Sequence, residues 1–466
     1  MKIHEILLVS RIIKLYRLYK HTLELDIFEI NYTHNSEELR DIIMSLENPK
    51  KNKLRIIRSY FGYFLSSLCG LYLLIAKEKI LFKNDIVCFS GTSNQRDIIN
   101  ELNRANFAFD LISLNKFDKQ WISIPIVKFI SCFFIFKLIS HYYKVTGYKK
   151  ESIKLYWHSY LMSFGLYFYI KLVLQKAKHL PNILINTNDH VMINQTINKA
   201  FCTSKIKTIY IQHASVSELR PPLSFSYAFL DGYDSIDKYN NVGYSNTIIF
   251  LVGSIKFDNY YTKINTNCEI KSIGICTNTL DSLLLVNDMC LHLKQQFPEI
   301  RFTLRPHPGD NRYEKFYEIS KKTNIFFSNS RIEKSFSFLE NIDLLISGES
   351  NIHLEASLLN VVSIYYKPNN YNYNDIYGFS MNNLIRYKAD NLLELENNIS
   401  KILLQKPYVR NNAKYYCSTI NTKYDGKTLS LIEELLEAIL KNDQIDMQKW
   451  KLVKNLKNLT AYELIE

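Results

Sequence analysis

The chain has 466 residues, too many for one ordinary hydrophobic core, so two or three domains are expected. Hydrophobic residues make up 47% and charged residues 22%, with 13 Gly and 10 Pro, which excludes a disordered or collagen-like protein. The net charge of +13 suits an anionic membrane surface or an anionic substrate. Nucleic acid is not expected as a partner, because the sequence lacks zinc-finger spacing, an RNP-like aromatic motif and a single basic stripe.

The N-terminal residues and the cysteines predict a cytoplasmic protein. Residues 1–17 mix charges with short apolar runs and lack the continuous apolar core and cleavage site of a signal peptide. The cysteines form no Cys-x-x-Cys pair and mostly occupy apolar runs, which indicates a reducing compartment and no zinc. They are Cys69, Cys88, Cys132, Cys202, Cys268, Cys276, Cys290 and Cys417.

Two apolar stretches near the N-terminus predict contact with a membrane. Residues 59–76 contain no charge, at the lower length limit for a membrane span, but include Ser, Gly and several Tyr. We expect an interfacial helix there, on a membrane or under a domain. The stretch 122–139 is interrupted by Lys128 and Lys137 and is expected to be a packed or interfacial helix. Peripheral association with the inner face of the cytoplasmic membrane is therefore predicted.

The next elements form a β-α pattern. After a helical, basic region over 1–83, short β-branched runs alternate with amphipathic segments, which is typical of βαβ units and a parallel sheet. A long apolar helical region is predicted over 121–176. The predicted strands are 85–89, 109–114, 183–185, 208–211, 227–230 and 247–252.

A second β-α series follows. Its predicted strands are 272–276, 301–304, 324–327, 343–346 and 361–365, and its predicted helices include 352–359 and 429–440. We therefore predict an α/β fold of two Rossmann-like doubly wound domains facing a central cleft, with extra helices at both termini. The predicted domains are 84–262 and 263–440, flanked by the N-terminal region 1–83 and a tail helix over 441–466. Ligands bind beyond the carboxyl ends of such strands, so residues just after strands are candidates.

The segment 303–310 is the sharpest motif. Two prolines stop a strand and hold Arg305 and His307 at its end, with Pro308 beside them. A guanidinium offers a bidentate fork to phosphate, and an imidazole can donate a hydrogen bond to a departing phosphate. A rigid turn with a capping histidine is the alternative. The motif favours a phosphate site.

The segment 343–356 is a second candidate for the nucleotide site. An apolar strand breaks at Gly348 and passes through Glu349 into a predicted helix. Ser350 or Asn351 can cap that helix, whose N–H groups would attract an anion. Glu355, one turn into the helix, could accept hydrogen bonds from a ribose or base. An ordinary cap and a solvated first-turn carboxylate are the alternatives.

Candidate catalytic bases follow strands of the first half. His213 comes directly after the strand 208–211, and an imidazole titrates near working pH. Asp189 and His190 follow the preceding strand, where Asp189 could orient a histidine. Asp231 follows the next strand and could itself be the base. The Gly-Ser pair at 253–254 is interpreted as an interdomain turn.

Several segments resemble GT-B enzymes of bacterial envelope glycan assembly, nearest in outline to the teichoic-acid glycerophosphotransferases and the bacterial sialyltransferases. The resemblance covers about residues 180 to 370. It implies the GT-B architecture. The segments are Ile211-Gln212-His213, Gly253-Ser254 with Asp258, His307-Pro308, and residues 343–350.

Resemblance to the sialyltransferases implies one set of roles. Their His-Pro motif contacts the phosphate of cytidine monophosphate, a Ser-containing motif assists, and an acidic-Gly motif supplies the base. These roles would fall on His307 with Pro308, on Ser350, and on Asp231 with Gly232. Here Leu230 replaces the expected first acidic residue, and Glu349 stands where a second Ser would be.

Resemblance to the glycerophosphotransferases implies a different base. Their Gln-x-Trp-His-Gly motif supplies a histidine, which maps in part onto Gln212 and His213, without the Trp and Gly. The base therefore stays divided between His213 and Asp231. Both families use cytidine-activated donors, and their architecture needs no divalent metal.

The expected function is that of a metal-independent, inverting glycosyltransferase without a cofactor. It would transfer sialic acid or a related acidic sugar from a CMP donor to a hydroxyl of a glycan or lipid-linked glycan, in capsule, O-antigen or lipooligosaccharide synthesis. The alternatives are a CDP-glycerol or CDP-ribitol polyol-phosphate transferase, an enzyme like UDP-N-acetylglucosamine 2-epimerase, and a non-catalytic membrane-surface scaffold.

Overall fold

The strands of the first half form one sheet. The computed structural model describes residues 3–35, 52–76, 80–217, 219–369, 375–441, 445–446 and 448–465. The six strands run parallel in the order β2-β1-β3-β4-β5-β6 and are largely buried, as expected for a sheet covered by helices on both faces. They are β1 (Ile86–Ser90), β2 (Phe109–Ser113), β3 (Ile183–Asn186), β4 (Lys207–Ile211), β5 (Tyr227–Leu230) and β6 (Ile248–Leu251).

The strands of the second half form a separate sheet. They are β7 (Ser272–Cys276), β8 (Arg301–Arg305), β9 (Phe326–Phe327), β10 (Leu344–Ser347), β11 (Val362–Tyr366) and β12 (Tyr387–Ala389). All pairs are parallel, and the order β9-β8-β7-β10-β11-β12 is the Rossmann order. The predicted fold class, two doubly wound α/β units in a GT-B arrangement, is confirmed.

Helices surround both sheets. Those before β7 are α1 (Ile3–Leu23), α2 (Ile27–Ile30), α3 (Tyr32–Asn35), α4 (Asn52–Ala76), α5 (Ser93–Leu102), α6 (Ile124–Ser131), α7 (Ile135–Lys144), α8 (Gly147–Lys176), α9 (Met192–Cys202) and α10 (Tyr233–Val242). Those after β7 are α11 (Leu283–Gln296), α12 (Tyr313–Lys322), α13 (Ser335–Leu339), α14 (Ile352–Leu358), α15 (Leu392–Leu404) and α16 (Thr428–Lys441).

The apolar stretches near the N-terminus are helical. Residues 59–76 lie in α4, and 122–139 covers α6, a 3-10 turn (Cys132–Phe134) and part of α7. Within the described residues, the segment Ile124–Lys144 is long and apolar enough to cross a membrane, by length and composition only. The predicted helical region 1–83 also includes residues 1–2, 36–51 and 77–79, which lie outside the described residues.

The C-terminal residues differ from the predicted tail helix. They form β13 (Trp450–Leu452) and β14 (Thr460–Leu464), and β14 pairs in parallel with β6. Without this pairing β6 would be an edge strand with unpaired backbone groups. Phe250 of β6 also holds the hairpin, because its ring lies 5.0 Å from Trp450 and 5.3 Å from Tyr462. Residues 442–444, 447 and 466 of this prediction lie outside the described residues.

The chain returns to the first sheet before this hairpin. Helix α16 lies inside the range 263–440 predicted for the second domain, yet its apolar face packs against strands of the first sheet. The burial of Leu431, Leu435 and Ile439 on that sheet explains its amphipathic pattern. The predicted limit near residue 262 falls within a 3-10 helix, Ile255–Lys263, between the two sheets.

Gly253 lies just after β6, against Thr419 of the C-terminal segment that returns to the first sheet. Its φ of +83° lies in the left-handed region, and a Cβ added there would overlap the side chain of Thr419. Glycine is therefore required both by the backbone conformation and by the close approach of the C-terminal segment.

We predict that Gly253→Ala lowers the free energy of unfolding by about 2 kcal/mol or more, because it adds left-handed strain and a steric overlap. Thermal unfolding measures the change. Gly62→Ala is the control, since nothing lies within 4 Å of its added Cβ and alanine favours the helix α4. Equal melting temperatures for Gly253→Ala and the wild type would contradict the prediction.

Candidate active site

The carboxyl edges of the two sheets face each other and are joined by direct contacts. The backbone N–H of Ser215, in the loop after β4, donates to Asn351 Oδ1 at 3.1 Å, at the start of α14. Lys238 Nζ of α10 donates to the carbonyl oxygen of Tyr377 at 2.8 Å. The loops that follow strands of both sheets therefore border one cleft.

Asp189 and His190 form a dyad after β3. Asp189 Oδ1 lies 3.0 Å from His190 Nδ1, and the Tyr239 hydroxyl donates to Asp189 Oδ2 at 2.7 Å. Burial by itself raises the pKa of the Asp189 carboxyl, but Arg220 and the bonds from His190 and Tyr239 outweigh it and hold that pKa well below its usual range. Asp189 is thus an ionised carboxylate that orients His190, as an orienting carboxylate does in a catalytic dyad.

His213 is held as a neutral imidazole. Burial, with a smaller contribution from the nearby Lys256 ammonium, lowers its pKa to about 3. Lys256 Nζ donates to the backbone carbonyl of His213 at 2.7 Å, which fixes the loop. The Nδ1 atom of His213 is shielded from solvent and has no hydrogen-bond partner among the described residues. A low pKa makes His213 a weak base at neutral pH.

The pKa of Asp231 is shifted in the opposite direction to that of Asp189. Burial raises the pKa of the Asp231 carboxyl to about 8, even though Lys256 and a hydrogen bond from Ser254 lower it. The backbone N–H of Asp231 donates to Gln212 Oε1 at 2.9 Å, so the Gln of the predicted motif joins the loops after β4 and β5. Two buried carboxyls in the same part of the fold thus hold different charges at neutral pH.

Arg305, predicted as part of a phosphate site, is bound by protein groups at the end of β8. Its guanidinium donates to Ser328 Oγ at 2.6 Å and to Glu333 Oε2 and O at 3.2 and 2.7 Å, and it packs on the Phe338 ring. The loop after β9 brings these acceptors to the end of the neighbouring strand β8. The fork predicted for phosphate is already bound to protein groups.

His307 remains available at the end of β8. The Gly309 N–H donates to His307 Nδ1 at 3.1 Å, so the ring proton of the neutral form is on Nε2. Partial desolvation lowers the pKa of this imidazole, against the effect of Asp310. Pro308 is exposed, and its carbonyl accepts from Arg331 Nε at 3.2 Å. His307 can therefore donate from Nε2 to a ligand.

The segment after β10 is tightly packed. Gly348 is buried, and a Cβ there would lie 3.3 Å from Lys367 Cγ. Glu349 accepts from the Tyr365 hydroxyl at 2.5 Å and from the Ile376 N–H at 3.3 Å, so it anchors the loop after residue 374. A role of Glu349 in nucleotide binding stays a prediction.

The predicted helix cap differs in detail. Ser350 Oγ accepts from the Ile352 N–H at a long 3.4 Å, and Asn351 occupies the cap position without a capping side-chain bond. The Asn351 amide oxygen binds Ser215 instead, because the first domain brings that N–H to it. Glu355 lies partly buried in the first turn of α14, where the sequence placed it.

Sequence reasoning missed three residues near the candidate site. Arg220 and Thr277 belong to no predicted motif, and Lys256 lies in a segment interpreted as a plain turn. Arg220 precedes two prolines, as Arg305 precedes one, and this repeated signal could have drawn attention to it. Thr277 directly follows β7, beside the point where the strand order reverses, which is where ligands bind in such sheets. Among the described residues no three His, Cys, Asp or Glu are grouped to hold a metal ion.

Comparisons with known proteins give similarities of fold. No protein-family model matches the chain, and no curated protein matches it. A UDP-GlcNAc 2-epimerase from Neisseria meningitidis solved with UDP-GlcNAc is 11% identical, with a TM-score of 0.47 over 77% of this chain and 100% of that one. The wall teichoic acid polymerase TagF is 11% identical, with a TM-score of 0.42 over 82% and 98%. MurG from Acinetobacter baumannii is 9% identical, with a TM-score of 0.41 over 76% and 99%. Similarities at this level define neither the family nor the substrate of this chain.

We predict opposite pH effects for the two buried carboxyls. The raised pKa of Asp231 destabilises the folded state progressively as pH rises from about 4 to 8. The melting temperature of Asp231→Asn should therefore exceed that of the wild type by a margin that grows as pH rises through this window. The depressed pKa of Asp189 stabilises the folded state above pH 4. Asp189→Asn should melt below the wild type at pH 7, by a margin that shrinks as pH falls through 4.

Melting temperatures between pH 3 and 9 for both variants check this prediction. Each variant is the control for the other, since both replace a buried carboxyl by an amide of the same shape. The same dependence of melting temperature on pH in both variants would contradict the assigned charges.

Proposed function

We propose that this chain is a glycosyltransferase of surface-polysaccharide synthesis, which transfers a sugar from a nucleotide-activated donor to a glycan hydroxyl in the cleft between the two sheets. In the finer form of the proposal, the donor is a CMP-linked acidic sugar such as sialic acid. The first domain would bind the acceptor, and the second would bind the nucleotide.

One observation carries the proposal: among the described residues, five of the thirteen buried polar side-chain atoms that lack a hydrogen-bond partner lie in segments that follow strands at the two facing edges. Buried polar groups in folded proteins are nearly always hydrogen-bonded, so an unpaired one indicates a ligand, water or ion. On the first sheet these atoms are Thr187 Oγ1, His213 Nδ1 and Ser215 Oγ. On the second side they are Thr277 Oγ1 and His353 Nδ1. A polar ligand with groups directed at both domains, such as a nucleotide sugar beside its acceptor, fits this distribution.

Asp231 is our proposed base. A general base works best when its pKa lies near the operating pH, and the value of about 8 meets that condition whereas the value of about 3 for His213 does not. The resemblance of Asp231 and Gly232 to the acidic-Gly motif supports the same choice. Neutral His213 would then hydrogen-bond the acceptor, and the dyad of Asp189 and His190 is the competing base.

The donor side would stabilise the departing phosphate through His307. Its Nε2 proton faces away from the bond with Gly309, and donors of this kind stabilise charge that develops in the transition state. The hydroxyl of Thr277, on the adjacent strand end, is a second donor. The choice of cytidine rests on the resemblance of His307-Pro308 and Ser350 to sialyltransferase motifs.

A thermal-shift screen with CMP, CDP, UDP and GDP tests the nucleotide class. Stabilisation by a cytidine nucleotide supports the finer proposal, and stabilisation by UDP alone contradicts it. Consumption of UDP-N-acetylglucosamine without an acceptor would indicate an epimerase, and CMP release from CDP-glycerol would indicate a polyol-phosphate transferase. If none of the four nucleotides stabilises the chain, a non-catalytic scaffold is favoured.

We predict that His307→Ala lowers turnover by about a hundredfold or more, because one donor to the developing charge is lost. Initial rates with saturating donor measure this. His292→Ala is the matched control, since that histidine lies on α11, outside the cleft loops, and is paired with Glu396 of α15. Unchanged turnover in His307→Ala would remove the assigned role.

For Asp231, we predict that kcat/KM of the wild type rises with pH and levels off above about 8, as the carboxyl ionises. Asp231→Asn should lose about 10²–10⁴ in rate and also lose this pH dependence. A pH-rate profile of both proteins tests the base. If the variant keeps the wild-type profile while His190→Asn loses activity, the dyad of Asp189 and His190 is the base instead.

A further inference from the structure

Helix α4 has the reverse of the usual amphipathic pattern. A helix on a water-soluble surface buries its apolar face and exposes its polar one. In α4 the residues buried against α6 are Tyr63, Ser67 and Gly70, and the Tyr63 hydroxyl lies 2.5 Å from Ser131 Oγ. A Cβ on Gly70 would overlap the Pro125 carbonyl, so the two helices are in close contact. Large apolar side chains of α4, among them Phe61, Phe64, Leu68 and Tyr72, are left on the outside.

The segment 124–144, which packs on α4 through α6, also exposes large apolar side chains. Phe133 and Phe136 are 60% and 81% exposed, although the same segment buries Phe134 and Leu138 in the protein core. The outer apolar face, as we name it, consists of Phe61, Phe64, Leu68, Tyr72, Phe133 and Phe136. Scattered exposed apolar residues are normal, but a contiguous face of large ones marks an interaction surface.

The helices that carry the outer apolar face, together with α1, have a strong excess of positive charge in their sequence. The three helical segments 3–23, 52–76 and 124–144 contain ten Lys or Arg and a single acidic residue, Glu5. Such a surface is complementary to anionic lipid headgroups. A second copy of the chain would instead place two cationic surfaces against each other, which like-charge repulsion disfavours.

We propose that the outer apolar face docks on a bilayer that contains anionic phospholipids, with the helices lying in the interface. Two features favour an interfacial position over a span: α4 holds the protein through a hydrogen-bonded inner face, and a 3-10 turn interrupts the segment Ile124–Lys144 beside Lys137. Tyr72 and Tyr143 are exposed, and tyrosine is enriched where headgroups meet the apolar layer. This docking does not depend on the proposed catalytic function.

Sedimentation of the full chain with lipid vesicles tests the proposal. We expect binding to mixed phosphatidylcholine and phosphatidylglycerol vesicles that weakens with salt, and much weaker binding to phosphatidylcholine alone. The double variant Phe61→Ser with Phe136→Ser should lower partitioning by about tenfold or more. Lys137→Gln with Lys144→Gln should lower it by about fivefold for each charge, on anionic vesicles only.

The matched control replaces equally exposed apolar residues of the second domain. Phe326 and Ile332 are 64% and 82% exposed, against 64% and 81% for Phe61 and Phe136. Their double Ser variant should bind vesicles like the wild type, and both double variants should keep the wild-type melting temperature. Absence of vesicle binding, or equal loss in both variants, overturns the proposal.

Two further outcomes would also overturn it. Resistance of the membrane-bound chain to alkaline extraction would indicate a spanning helix. A dimer that the Phe61 and Phe136 variant dissociates, without any vesicle binding, would indicate a second copy as the occupant. Nucleotide stabilisation measured on the same variants should be unchanged, which separates a failure of docking from a failure of the proposed function.

Discussion

The buried guanidinium of Arg410 links the parts of the chain that must be held together for the cleft to exist. Its Nη2 donates to both carboxylate oxygens of Asp425 at 2.6 and 2.8 Å, its Nε donates to the carbonyl of Leu358 at 3.0 Å, and it packs on the Phe257 ring. These partners belong to the returning segment, the end of α14 and the connection between the sheets. Loss of one partner of such a buried pair typically costs about 3–5 kcal/mol. The pair thus joins the second domain to the segment that returns to the first sheet.

With the two sheets held in this way, the cleft combines a fixed negative charge with a protonated acid. Asp189 stays ionised because Arg220 and two hydrogen bonds compensate its burial, whereas Asp231 lacks sufficient compensation and keeps its proton. Separated pKa values of this kind are how one site can hold both an orienting carboxylate and a titrating one. Lys256 acts on His213 as well as on Asp231, so the state of one loop affects the other.

The N-terminal helices bury part of their apolar surface in a core and leave the rest exposed. Helix α8 is buried along most of its length and needs apolar neighbours, which the segment 124–144 supplies through Phe134 and Leu138. Other apolar residues of the same segment, among them Phe133 and Phe136, are exposed. The same segments therefore complete a core and leave the outer apolar face described above.

Much of the fold could be predicted from the sequence, because strand formation depends on local patterns. Runs of β-branched residues between turn residues located the parallel strands β1 to β11 to within a few positions, and the ends of those strands located His213, Asp189 and Asp231. The three-residue strand β12 was not predicted. The short C-terminal strands escaped detection because β14 exists only through pairing with β6, more than 200 residues earlier in the chain.

The chemistry of the site depended on contacts that no local pattern contains. Sequence patterns identify which polar side chains follow strands. Long-range contacts decide that Arg305 is bound by Glu333, that the neutral imidazole of His307 carries its proton on Nε2, and that one of the two aspartates is ionised and the other protonated. The physical reason is that hydrogen-bond partners and desolvation, which set availability and pKa, come from residues brought together across long distances in the sequence.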